Sequence, residues 1–231
     1  MANNYYDMTG VLCLREVTPV IQALFGAFEL DAKYPGSGEA YIANLAETTS
    51  CSWNTVVENL GEFVKSLGLS VDEDDEETME LYLKALATHF GLDFDAKVAP
   101  VLEDVDTDGY DAEIEKLFEL ARIFDDGHGL HAIKTESSWH CSKPRLFEFG
   151  GSGCFMGTHV IVDRSSDAAV RLGQDLETAL VVKNVDEAAA VFLGDVRNTL
   201  SGIGDATTRD LIRVKLAELL VAPGASADVT S

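Results

Sequence analysis

Between Asp72 and Asp126 the chain carries 19 acidic side chains against four basic ones, Lys84, Lys97, Lys116 and Arg122, yet apolar residues recur through the same stretch at helical spacing. Met79, Tyr82, Leu83, Leu86 and Phe90 form one stripe, and Ile114, Leu117, Phe118, Ala121 and Phe124 form another. Residues three and four apart share one face of an α-helix, so each stripe needs a core to cover it while the carboxylates turn to water. An acidic segment without such stripes stays disordered; with them it is expected to fold as two amphipathic helices. Asp111 is the expected N-cap of the second, whose acidic first turn suits the positive end of the helix dipole.

The flanking sequence supplies strands and further helices. GVLCLREV, residues 10–17, reads as a strand, followed by Thr18 as N-cap and Pro19 as first residue of a helix with Ile21, Leu24, Phe25 and Phe28 on its apolar face. EAYIANL, residues 39–45, reads as a second strand leading to a helix with Trp53, Val56, Val57, Leu60, Val64 and Leu67 on one side and Gly68 as C-cap. From 129 to 164 the pattern changes to strand-like runs, LHAIKT, RLFEF and CFMGTHVIVDR, with GGSG as the expected hairpin turn. Ser165 or Ser166 then caps a helix carrying Ala169, Leu172, Leu176 and Leu180; two more centre on Phe192, Val196 and Leu200 and on Ile212, Leu216 and Leu219.

These elements predict an α+β fold, with a small mixed sheet or sheets, amphipathic helices and a helical C-terminal third. One domain is expected over 1–222, with 223–231 a disordered tail. The stretches FELDAKYPGSGEAYIANL and FEFGGSGCFMGTHVIVDR run through similar steps, which suggests related β-α halves over 1–69 and 129–181 with an acidic helical insert over 70–128.

The chain has 231 residues, 40 acidic and 17 basic, for a net charge of −23. That balance argues against direct binding to nucleic acid or an anionic membrane, both of which draw on clustered Lys and Arg. No apolar run approaches the ~20 residues of a membrane span. The start, MANNYYDMTG, lacks the basic and apolar regions of a leader, so a cytoplasmic location is expected. Cys13, Cys51, Cys141 and Cys154, with no CxxC pair, are expected as free thiols. A charged partner should be basic or metallic; the plainer reading is that the carboxylates serve solubility alone.

Two constellations have metal-ligand chemistry. Asp104, Asp106, Asp108, Gly109 and Glu115 follow the D-x-D-x-D-G-x5-E pattern, in which alternate oxygens and a terminal bidentate carboxylate surround calcium. At these twelve residues the sequence resembles an EF-hand loop, which implies Asp104, Asp106, Asp108 and Glu115 as side-chain ligands and the Tyr110 carbonyl as another. It departs from that family at Asp111, where an aliphatic residue is usual, at Glu103, and at Pro100 in the would-be entering helix. The second constellation is His128, His131, His140, Cys141, Cys154 and His159, all within 32 residues, whose ligand types suit zinc although the paired spacings of structural zinc sites are missing. His131 and Ile133 would share a strand face, which makes a conventionally packed histidine the competing reading.

FGGSGCFMG is not a phosphate loop, because a strand rather than a helix follows it. SSWHCSKPRLFEF gathers Trp139, Lys143, Arg145 and Phe147, either as an interaction surface or as strand faces turned inward.

The phrases NYYDMTGVL and WHCSKPRLFEFGG resemble those of proteobacterial proteins carried on integrative and conjugative elements and genomic islands, over the first 70 residues and roughly 118–162. The resemblance implies a small cytoplasmic accessory protein of mobile DNA and brings no activity or catalytic residue with it. Mobile elements face restriction and CRISPR systems, and spaced carboxylates on helices can stand in for the phosphates of a duplex. The leading expectation is therefore a non-enzymatic acidic interaction protein without a cofactor, of which one form is a nucleic-acid-mimicking inhibitor that occupies a basic nucleic-acid-binding protein. Its contact surface would be Asp72, Glu73, Asp74, Asp75, Glu76, Glu77, Asp104, Asp106 and Asp108. The alternatives are a calcium- or zinc-binding module and an enzyme using His140, Cys141 and His159, for which no nucleophile and base stand at recognisable spacing.

Overall fold

A computed structural model describes residues 4–71, 78–103, 105, 111–143, 146 and 148–222. Among them are nine α-helices and a six-stranded antiparallel sheet, an α+β fold with helices gathered in the C-terminal part. The chain divides into two compact units, residues 1–156 and 157–231. The strand order is β2-β3-β1-β4-β5-β6.

In the first unit β1 (Asn4–Cys13) is central, antiparallel to β3 (Glu39–Leu45) on one side and β4 (Ala132–Cys141) on the other. The register places Leu12 opposite both Ala40 and Ile133, and Met8, Leu12, Ala40, Ile42 and Ile133 join the core. Against them pack α1 (Pro19–Phe25), α2 (Trp53–Ser66), α3 (Met79–Phe90) and α6 (Ile114–Ile123), whose stripes are buried as their spacing requires. Two one-turn helices, α4 (Phe94–Lys97) and α5 (Ala99–Leu102), connect α3 to α6. Tyr82, Leu83, Leu86, Leu117 and Phe118 share a single core with Ile21, Leu60 and Ile133, so the acidic stretch is part of that core's wall.

Local chemistry sets most boundaries. Ser52 and Thr78 cap α2 and α3 by accepting the N–H groups of Thr55 and Leu81. α6 starts at Glu113, not Asp111: the Asp111 carboxylate accepts the Asn44 amide at 3.1 Å and its backbone bridges to Ser52. Ala112 N–H then donates to the Cys51 carbonyl at 2.7 Å, holding this stretch extended. α2 ends one residue earlier than expected, at Leu67, with Gly68 following at φ 68°. β1 leaves its ladder after Cys13, where Leu14 and Arg15 donate instead to the carbonyls of Gly38 and His128.

GGSG is not a hairpin turn. It lies within the extended strand β5 (Phe149–Gly157), where a Cβ at Gly150 would overlap the Trp139 ring and one at Gly151 the Ser137 carbonyl. Glycine lets β5 approach β4 here, and Cys141 N–H donates to the Glu148 carbonyl at 3.1 Å. The earlier GSG, residues 36–38, is a turn with positive φ throughout, so the two copies of this phrase have different conformations. β2 (Asp31–Pro35), which the sequence reading missed, is a five-residue edge strand exposed along its whole length.

The second unit holds β6 (Ile161–Ser165), α7 (Ala168–Val181), α8 (Val185–Ser201) and α9 (Ala206–Val221). The N-cap position of α7 is Asp167, not Ser165 or Ser166; the Ser165 hydroxyl donates to the Asp167 carboxylate, which makes no capping bond. Asn184 and Asp205 cap α8 and α9. Arg164 ties β6 to α8 through Asp195 and Thr199, both at 2.6 Å. Of the three helices only Ala179, Ala188 and Leu200 are buried. No helix among the described residues is long and apolar enough to cross a membrane.

Candidate interaction surfaces

The His/Cys constellation does not assemble. His159 belongs to the second unit and is exposed, while the other five lie in the first. His140 stacks on Tyr5, its cross-strand partner, at 5.0 Å between rings. Cys141 is buried one residue further along β4, on the opposite side of the pleat. His131 is exposed, its Nδ1 3.3 Å from the Gly129 carbonyl, and Cys154 packs at the edge of the core. All four cysteines are free thiols. Burial, with the charges of Asp111 and Glu29, pushes the Cys51 thiol up to about 12, which makes it a poor nucleophile.

Among the described residues one trio brings metal-type ligand atoms within 4.8 Å of each other: Asp125, Asp126 and His128. Each is already committed. Leu130 N–H donates to His128 Nδ1 at 2.8 Å, so the proton sits on Nε2, which donates to the Ala121 carbonyl at 2.9 Å. That carbonyl is in the last turn of α6, where helix geometry supplies no partner. Asp126 accepts the Thr18 hydroxyl and, at 3.2 Å, Val20 N–H, so it caps α1 from 108 residues away in place of Thr18's own side chain. Asp125 accepts the N–H groups of Gly127 and Gly129. Burial opposes its charge, but those donors and the nearby Arg15 hold its carboxyl below the ordinary aspartate range. The trio is a clasp joining the end of α6, the start of α1 and the end of β1.

The expected acidic contact set falls wholly outside the described residues. Asp72, Glu73, Asp74, Asp75, Glu76, Glu77, Asp104, Asp106, Asp108 and Tyr110 lie outside the described residues, as do Arg145, Phe147 and the expected tail over 223–231. Glu115 is exposed in the first turn of α6. Two glutamate pairs are exposed at i, i+4 spacing: Glu115 with Glu119 on α6, and Glu58 with Glu62 on α2, the second of which the sequence reading passed over. Its signal was the like-charge repeat itself, obscured by the denser run beside it.

Among the described residues no ion pair neutralises these four carboxylates. Lys84 is held by Glu80, Lys116 by the Glu103 carbonyl, and Arg122 lies over the Phe118 ring. Glu58 and Glu62 rim a hollow of about 500 Å³ with Asn54, Lys65 and Tyr82. The first unit holds 29 acidic and 10 basic side chains, the second 11 and 7.

Two apolar surfaces complete the description. Trp139 faces Tyr6 across the β4–β1 ladder, and both are exposed, with Leu146, Phe149 and Lys143 also at the surface. In the second unit α8 and α9 enclose an open groove of about 720 Å³, walled by Ala189, Phe192, Leu193, Val196, Leu216 and Leu220. Arg197 and Arg209 stand toward the α8–α9 connection, and Arg213, midway along α9, is paired with Asp210. No protein-family model, curated protein or solved structure matches the chain.

Proposed function

We propose that this is an acidic interaction protein whose N-terminal unit occupies the nucleic-acid-binding surface of a basic partner, as an accessory protein of mobile DNA would. The observation that carries the reading is the placement of like-charged glutamates one turn apart on α2 and α6, on helices whose opposite faces are used in packing. A like-charge i, i+4 pair costs a helix about 0.2–0.5 kcal/mol and gives nothing back to folding. A binding surface explains that cost, whereas solubility needs only net charge without close pairing.

Four residues of helix rise place each pair about 6 Å apart along the axis. That is nearly twice the roughly 3.4 Å axial step between phosphates of one DNA strand, so each pair spans about two such steps. The hollow beside Glu58 and Glu62 gives a partner's Arg or Lys head a place to enter. The contact should weaken steeply with salt, as electrostatic recognition does.

The test is capture of partners from nuclease-treated host lysate on the tagged protein, eluted in salt steps with competitor DNA in a parallel arm. The reading expects a basic nucleic-acid-binding protein that DNA displaces. It also expects that E58Q/E62Q/E115Q/E119Q, with the fold intact by circular dichroism, loses that protein. Capture unaffected by DNA and by the glutamine variant would reduce the carboxylates to a solvated face.

A further inference from the structure

We infer that the apolar face of α8 is where two copies of this chain pair, antiparallel, about a twofold axis beside Phe192. The inference does not rest on the acidic-surface reading. It begins from an imbalance: α8 and α9 are 17 and 16 residues long, yet Phe192, Leu193, Val196, Leu219, Leu220 and Val221 are all exposed, Leu220 at 85%. Apolar faces of this extent mark contact surfaces.

Charge along the stripe selects the occupant. Asp186 and Arg197 are 11 residues apart, three helical turns, so they lie on one edge of α8 about 16 Å apart with Leu193 between them. Both are exposed, and among the described residues neither side chain has a hydrogen bond or an ion pair. A twofold interface must be its own complement, each residue meeting a different residue of the same patch. An acid and a base equidistant from a midpoint at Val191 and Phe192 meet that condition. Turning one α8 antiparallel on another sets Asp186 of each copy against Arg197 of the other and closes two identical ion pairs over the apolar centre. A foreign acidic helix would satisfy Arg197 but leave Asp186 facing like charge, while Arg209 and Arg213 are already engaged by the Ile203 carbonyl and by Asp210. Net charge also favours this surface, since the second unit's 11 acidic and 7 basic side chains repel a copy far less than the first unit's 29 and 10.

Sedimentation equilibrium on the full chain tests this, with D186R, R197D and the double variant D186R/R197D, and with circular dichroism checking that the helices persist. The expected result is a dimer for the natural sequence, weakening by about tenfold or more in each single variant. Dimerisation should return in the double variant, where the pair is restored with its charges exchanged. A natural protein monomeric at about 100 μM would overturn the inference, because that is weaker than a specific contact of this kind. So would a dimer that neither single variant weakens, or one that both weaken and the double variant fails to restore.

Discussion

Replacing His128 with leucine tests whether the 125–130 clasp is structural. The imidazole is 1% exposed and uses both nitrogens on backbone groups, accepting from Leu130 N–H and donating to the Ala121 carbonyl. Leucine fills comparable space and can do neither. Each buried backbone group left without a partner costs about 1–3 kcal/mol. Two such losses amount to roughly 2–6 kcal/mol, and the extra apolar burial of leucine returns about 1–2 of that. The expected net loss is about 2–4 kcal/mol, a large fraction of the roughly 5–15 kcal/mol that holds a domain together. Urea unfolding followed by Trp53 fluorescence reads it directly, because that indole is fully buried in the same core. A loss under about 1 kcal/mol would refute the reasoning, since it would mean that neither bond carries weight. Zinc supplies the complementary check: with both nitrogens committed, micromolar zinc should leave the natural protein's midpoint unchanged, and a rise would restore the metal reading.

Three further outcomes follow from the same geometry. E58Q/E62Q/E115Q/E119Q should raise stability by about 0.5–1 kcal/mol in low salt and show no such gain in high salt, measured by urea midpoints, because two like-charge pairs are removed. Gly10→Ala should destabilise by about 1–3 kcal/mol or more, because its Cβ would overlap the Lys134 backbone carbonyl, which the central ladder holds in place. Cys51 should resist thiol reagents at pH 8 until urea is added; the unfolded thiol ionises near 9.0 and the folded one near 12, so its contribution to stability is complete below pH 9 and falls between those values.

How far the sequence is legible depends on whether the cause of an element is local. The stripes of α2, α3 and α6 and the limits of β3 could be read because burial repeats within a few residues. β2 could not, since an exposed edge strand buries nothing and leaves no alternation. Gly150 looked like a turn because the ring it makes room for, Trp139, comes from another strand. Asp126 gave no sign of capping a helix that begins at Pro19. The His/Cys grouping was close in sequence and scattered in space, because a strand sends neighbours to opposite faces and His128 sits in a loop before it. The acidic surface was legible as composition, while the spaced pair of α2 and the self-complementary edge of α8 became visible only with helix faces assigned.

The position of β1 between β3 and β4 also sets a timetable. Its first neighbour ends at Leu45 and its second starts at Ala132, so nearly ninety residues must leave the ribosome before the middle strand of the sheet has both partners. At about 5–20 residues per second, that edge waits roughly 5–20 s. For that interval the nascent chain presents one open edge of a ten-residue strand, a template for mispairing with its neighbours on a polysome. The carboxylates of the emerging α2–α6 segment, translated during the wait, give nascent chains a mutual repulsion while the strand is open.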